Sequence, residues 1–263
     1  MKVLDSTHIL TRIIDAKRRN LERTRMRVPE AVVKHFALRA PAVPSFREAL
    51  QNSKAVRVIA EVKKASPSKG VFRPDFSVSQ LVGAYTEAGA TAISVVTEED
   101  FFQGSLGWID DIRKQSPLPV LRKDFVFDSY QIYETRNAMA SAILLIVAML
   151  NPDELRRFIS LAKQVGLDSL VEVHDEVEMA EALDAGAEII GVNNRDLKTF
   201  AVDIQTSHRL AKRIPDDRLF VVESGIRNRS DIDELLKAGA DAFLIGETLI
   251  RSEDPAAILR GLL

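Results

Sequence analysis

The chain has 263 residues, 46% hydrophobic and 28% charged, with a formal net charge of −2 and no cysteine. That balance gives no general attraction for nucleic acid, and the cysteine count excludes a disulfide scaffold, thiolate zinc sites and a cysteine nucleophile. The longest apolar run, Ala142 to Leu150, falls far short of the roughly 20 residues that cross a bilayer, and the start MKVLDSTHILTRIIDAKRR lacks a signal-peptide core. No membrane partner and a cytoplasmic location are therefore expected.

The first stretch, residues 1–47, predicts a helical extension to a single domain spanning 1–263. Ile9, Leu10, Ile13 and Ile14 recur at helical spacing ahead of the basic run KRRNLERTRMR. Those lysines and arginines read as a solvated helix face or as a positive rim that attracts an anionic substrate. Pro29, Pro41 and Pro44 then punctuate the way to a first strand, Val56 to Glu61.

Further strands are expected at Pro119–Lys123, Ser169–Glu172 and Leu219–Glu223. Between them lie four related segments: EAGATAISVV, RNAMASAILLI, DAGAEIIGV and KAGADAFLIG. Each reads as a helix end, a glycine-type stop and a strand rich in β-branched residues. The central motif begins at Ala88, Ala138, Ala185 and Ala238, a spacing of 50, 47 and 53 residues, which indicates repeated supersecondary units. Amphipathic helices separate the strands, as in NPDELRRFISLAKQVG, which Asn151 or Pro152 starts and Gly166 stops. Strand and helix alternate at about 25 residues per unit, which predicts an α/β chain folded as a (β/α)8 TIM barrel with an N-terminal helical extension. A doubly wound open sheet is the alternative, but no G-x-G-x-x-G follows the first strand.

Active sites of such barrels sit at the carboxyl ends of the strands. The last inward positions there are Glu61 and Lys63, Lys123 in phase with Leu121, Glu172 in phase with Leu170, Asn193, Glu223 followed by Ser224 and Gly225, and Gly246. Unpaired buried charges cost several kcal/mol, so this many polar groups converging on one mouth point to a site. The turns ESGI and LIGET, at the ends of strands seven and eight, point to a phosphorylated ligand. Phe125 suits an apolar pocket for an aromatic group. His8, His35, His174 and His208 show no metal-ligand spacing, so no metal is expected, and His174 reads as a loop or structural residue. By residue type alone, another phosphosugar barrel, a barrel that only binds a ligand, or a Schiff-base lysine enzyme stay open.

The motifs AEVKKASPSKG, TEEDFFQGS, VLRKDFV, AILLIV, LVEVH, GVNNRDL and ESGI closely resemble those of the indole-3-glycerol phosphate synthase family, from about residue 4 to the end. The resemblance implies a barrel whose N-terminal segment helps cover the site. It also implies a small phosphorylated, anthranilate-derived substrate and acid–base chemistry with no cofactor. Its catalytic positions fall on Glu61, Lys63, Lys123, Glu172, Asn193 and Ser224, with Glu223 alongside. Ser66, Gly225, Gly246 and Glu247 would contact phosphate, Arg195 would hold the loop or pair with a site carboxylate, and Phe125 and Leu145 would flank the aromatic ring. The chain departs from the family at Met139 and Ser141, where Gly and Asp are frequent.

Overall fold

The computed structural model describes residue 2, residues 9–52 and residues 56–263; His8 lies outside the described residues. Helices α1 (Ile9–Arg27), α2 (Glu30–Ala37) and α3 (Phe46–Asn52) come first. The extension thus runs past residue 47, because α3 buries Phe46 and Leu50 before the chain turns toward the barrel.

The barrel strands are β1 (Arg57–Val62), β2 (Ala92–Val96), β3 (Val120–Lys123), β4 (Ala142–Ile146), β5 (Asp168–Val173), β6 (Ile189–Asn193), β7 (Leu219–Glu223) and β8 (Ala242–Ile245). All are parallel, each pairs with its sequence neighbour, and β8 closes onto β1. Helices lie between successive strands and cover the outer face, while closure packs the inner face on itself, which explains why most strand positions are buried. The sheet order follows from the repeat. Gly89, Met139, Gly186 and Gly239 each take positive φ at the helix stop, turning the chain into the next strand. Met139 is the one non-glycine among these four, and holds φ 64°.

Caps start the outer helices where polar residues foreshadow them. Asn151 and Glu154 form a reciprocal capping box on α4 (Pro152–Gln164), and Gly166 follows with φ 77°. Register then fixes what faces inward. Parallel partners share a face, so the pairs Glu61↔Ser94, Val96↔Lys123, Ile146↔Glu172, Glu172↔Gly191 and Asn193↔Glu223 define one inward set. Leu144 and Ile146 belong to that set. Leu145, expected beside the aromatic ring, is fully buried on the other face of β4, against the helices. Every residue of β4 is buried, so its sequence carries no alternation to set the phase.

Among the described residues, no helix is long and apolar enough to cross a membrane.

Candidate active site

The carboxyl ends of the strands open into a cavity of about 650 Å³. Of the residues singled out above, Glu61, Lys63, Ser66, Lys123, Phe125, Glu172, Asn193, Arg195, Glu223, Ser224, Gly225, Gly246 and Glu247 all line it, and Leu145 does not. Leu144 and Ile146 stand there instead. The first turn of α1 supplies Ile9, Leu10 and Ile13, so the extension forms an apolar wall of the pocket.

Lys123 occupies the floor. Its Nζ lies 3.5 Å from Glu172 Oε2 and 3.5 Å from Glu223 Oε2. Burial alone would favour the neutral amine, but Glu172, Glu223 and Glu61 outweigh it and push the Lys123 value well above the usual ammonium range. Beside it, Lys63 Nζ donates to Glu61 Oε1, an ion pair within the site. Burial would raise the Glu61 value, yet Lys63 and Lys123 hold it below the ordinary one.

The two remaining carboxylates differ. Burial pushes both upward. For Glu172, Lys123 and His174 reverse that and hold it down at about 2. For Glu223, burial and the adjacent Glu172 charge prevail over Lys123 and raise it to about 8. The surroundings therefore favour a proton on Glu223 over one on Glu172. Glu172 Oε2 and both Glu223 oxygens are buried without a hydrogen-bond partner in the protein, polar atoms left over for a bound molecule.

Two glycines make room for these carboxylates. A Cβ on Gly191 would stand 3.3 Å from Glu223 Cδ, and one on Gly246 would stand 3.0 Å from Glu61 Cδ. Gly246 thus has a packing reason at β8 apart from any phosphate. Ser224 at φ 65° and Gly225 at φ 87° form a tight turn after β7, the sort of backbone concavity that suits an anion. Lys69, Arg227 and Arg251 line the mouth.

Arg195 does both things expected of it. It donates to Phe200 O at 3.3 Å, holding its loop, and pairs with Glu247 Oε2 at 3.4 Å. Arg251 takes the other Glu247 oxygen at 3.0 Å. On the loop after β1, two-residue strands Ala65–Ser66 and Gly70–Val71 form a hairpin, and Phe72 beyond them sits between Lys63 and Arg251, whose Nζ and Cζ lie 5.5 and 5.1 Å from its ring centre. Phe125 packs against Phe102 with ring centres 5.9 Å apart.

Other groups escaped the sequence reading. Lys17 is buried rather than solvated, with Nζ 2.8 Å from Asp124 Oδ2 and 3.2 Å from Glu99 Oε2. Asp124 also receives Thr97 Oγ1 at 2.6 Å and Arg122 Nη2 at 2.9 Å, directly behind Lys123. No residue of the basic run lines the cavity; Arg25, for example, pairs with Glu30 and Asp128. Lys17 was legible in part, since it continues the Leu10, Ile13, Ile14 stripe one turn further. Among the described residues, no group of three or more His, Asp or Glu side chains is arranged to hold a metal.

A family model described as "Indole-3-glycerol phosphate synthase" matches residues 10–262. A protein of that name from Dehalococcoides mccartyi (strain ATCC BAA-2266 / KCTC 15142 / 195) is 48% identical over 258 residues, 97% of this chain and 100% of the relative. Another from Acetivibrio thermocellus is 49% identical over 215 residues, covering 82% of this chain and 83% of the relative. Among solved structures, a mutant tryptophan synthase alpha-subunit from Pyrococcus furiosus superimposes with a TM-score of 0.59 at 15% identity, covering 78% of this chain and 97% of that one. At that identity the likeness is one of fold.

Proposed function

The chain belongs to the indole-3-glycerol phosphate synthase family, and we propose that its pocket converts 1-(2-carboxyphenylamino)-1-deoxyribulose 5-phosphate to indole-3-glycerol phosphate, CO2 and water. It is a carboxy-lyase of tryptophan biosynthesis, and a cytoplasmic location belongs to the same reading. The observation that carries the residue assignment is Lys123, an ammonium at 3.5 Å from each of two buried carboxylates on the cavity floor.

In ring closure, the aromatic carbon bearing the carboxylate attacks the ketone carbon, and the ketone oxygen becomes an alkoxide. Lys123 supplies the proton. Its raised value keeps Lys123 an ammonium at neutral pH, so the proton is in place when the alkoxide forms, although the same shift makes it a weaker acid than a free lysine. The same ammonium stabilises the oxyanion as it develops. Glu172 is ionised and faces the cationic nitrogen of the intermediate. Loss of CO2 returns the bond electrons to the ring and restores aromaticity, so the chemistry calls for no electron-sink cofactor.

Dehydration removes a proton from the carbon beside nitrogen and expels the hydroxyl. The Glu61–Lys63 pair divides these tasks, one group taking a proton while the other assists departure. Asn193 and Ser224 orient substrate hydroxyl or carboxylate groups, and Glu223, protonated, offers a hydrogen bond to them. Ser66, Gly225, Gly246 and Glu247 hold the phosphate, the last two through backbone nitrogen. Their setting supports this: both Glu247 oxygens are engaged by arginines, which offsets the repulsion its carboxylate would exert on an anion. Phe125 and Leu144 flank the anthranilate ring.

The test mixes the purified chain with the substrate and follows indole fluorescence beside Lys123→Ala. Formation of indole-3-glycerol phosphate by the intact chain and a collapse of turnover in the variant are expected. No indole-3-glycerol phosphate from folded wild-type protein would overturn the reading.

A further inference from the structure

Glu172 and Glu223 pose a question of proton ownership. Both are buried, both oxygens nearest Lys123 stand 3.5 Å from it, and they lie on neighbouring faces of one cavity. Two buried carboxylates sharing one ammonium do not both ionise readily, so one proton is retained by the pair. Lys123 sits symmetrically between them and does not decide which carboxyl keeps it.

The asymmetry comes from behind Glu172. His174 directly follows β5 and, unlike Glu172, is not among the residues that line the cavity. Its Nε2 lies 3.4 Å from Glu172 Oε1, an ion-pair distance, and its Nδ1 lies 2.9 Å from Glu178 Oε2. Glu178 belongs to the helix Glu176–Asp184 and also accepts the His174 backbone N–H at 2.8 Å. One carboxylate therefore fixes both the ring and the backbone of the histidine. Among the described residues Glu223 has no such second cation: Lys123 alone lies within ion-pair distance of it.

We propose that His174, clamped by Glu178, is a positioning residue that keeps Glu172 the ionised member of the Glu172/Glu223 pair, assigns the shared proton to Glu223, and leaves Glu172 Oε2 turned to the substrate. The groups facing Glu172 are Lys123 from β3, Asn193 from β6, Glu223 from β7, Glu61 from β1 and His174 on its own strand end. Those facing His174 are Glu172 and Glu178. Burial would disfavour the imidazolium, but these two carboxylates outweigh it and raise His174 to about 10, so it stays charged across the working range. The sign follows. Remove the imidazolium and the pair loses its bias, so the proton that titrates at about 8 on Glu223 is shared with Glu172. Glu172 is then partly protonated near neutrality, and its role beside the cationic nitrogen weakens as pH falls.

The proposal deepens the synthase reading and rests on it only for its kinetic arm. His174→Asn keeps a side-chain amide near the Nδ1 position and cannot carry charge. In glutamate carboxyl carbon-13 NMR of the unliganded protein, assigned by Glu172→Gln, wild-type Glu172 is expected to stay ionised to the acid limit of folding. In H174N it is expected to titrate above about pH 6.5, within the range known for buried glutamates. Correspondingly, the H174N to wild-type ratio of kcat should fall about tenfold between about pH 8 and about pH 5.5. Glu178→Gln, which leaves the histidine in place, should move both readouts the same way by less, and decides the matter if H174N does not fold. Glu172 remaining ionised to about pH 5 in a folded variant, or a kcat ratio independent of pH, would overturn the proposal, since a merely structural loss lowers turnover equally at every pH. Should the wild-type chain make no indole-3-glycerol phosphate, the synthase reading fails and the NMR titration still decides the role of His174.

Discussion

Replacing Gly246 with alanine tests whether that glycine serves Glu61. Its φ is −122°, outside the left-handed region that favours glycine, so the obstacle under test is the close approach of Glu61. The added Cβ would lie 3.0 Å from Glu61 Cδ and 3.2 Å from Glu61 Cβ, and closer still to Oε1. Glu61 is only 3% exposed and is held by Lys63, so it cannot retreat without breaking the pair. Overpacking of this kind costs about 1–3 kcal/mol. Taking about 2 kcal/mol, Tm should fall by roughly 4–8 °C in a chain of this size. The displaced Glu61–Lys63 pair should lower kcat at least about tenfold, as the loss of acid–base positioning does. The decisive assay is a double-mutant cycle by thermal melting. In a Glu61→Ala background the two nearest obstacles, Oε1 and Cδ, are removed while the Cβ contact at 3.2 Å stays, and Gly246→Ala should then cost less than about 0.5 kcal/mol. Equal costs in both backgrounds would refute the steric reasoning. So would a rise in KM with Tm unchanged, which would return Gly246 to phosphate contact alone.

Lys17→Met should destabilise the chain by about 2 kcal/mol, less than a fully broken buried pair because Arg122 and Thr97 still engage Asp124. Burial would raise Asp124, but Lys17 and Arg122 hold it at about 2, so its stabilisation is full above the ordinary value of 3.8 and is lost as pH falls toward 2. The gap between wild type and K17M in urea melts should accordingly narrow below about pH 4. Met139→Gly relieves a left-handed backbone at φ 64° and should raise Tm by roughly 2–4 °C with kinetics unchanged, for about 1 kcal/mol gained. Leu144→Ala should raise KM, whereas Leu145→Ala should lower stability by about 2–5 kcal/mol and leave KM alone; the opposite pattern in steady-state assays would put Leu145 in the pocket.

The barrel was legible because its punctuation repeats. Three glycines and Met139 end every second helix between strands at the same point, and every one adopts positive φ. The polar strand ends were legible because a carboxylate or ammonium closing an apolar strand has few structural uses. Leu145 was misassigned because AILLI is apolar on both faces, and only its register against Leu170 and Glu172 sets the phase. Lys17 looked solvated because charge was weighed without position; its place on the stripe with Leu10, Ile13 and Ile14 puts it against the barrel, where Asp124 meets it. Partners in separate elements, such as Lys17 and Asp124, leave no local trace. His174 and Glu178, four residues apart, do leave one, but it reads as a salt bridge until Glu172 is seen on the other side of the ring.

The most direct measurement follows the substrate labelled with carbon-13 in its carboxylate through a single turnover with the intact chain and with Lys123→Met. The intact chain should release labelled CO2 and form indole-3-glycerol phosphate in equal amounts, while the variant, folded and still binding substrate, should release neither at a comparable rate. Labelled CO2 appearing at the wild-type rate from Lys123→Met would contradict the assignment of ring closure to that ammonium.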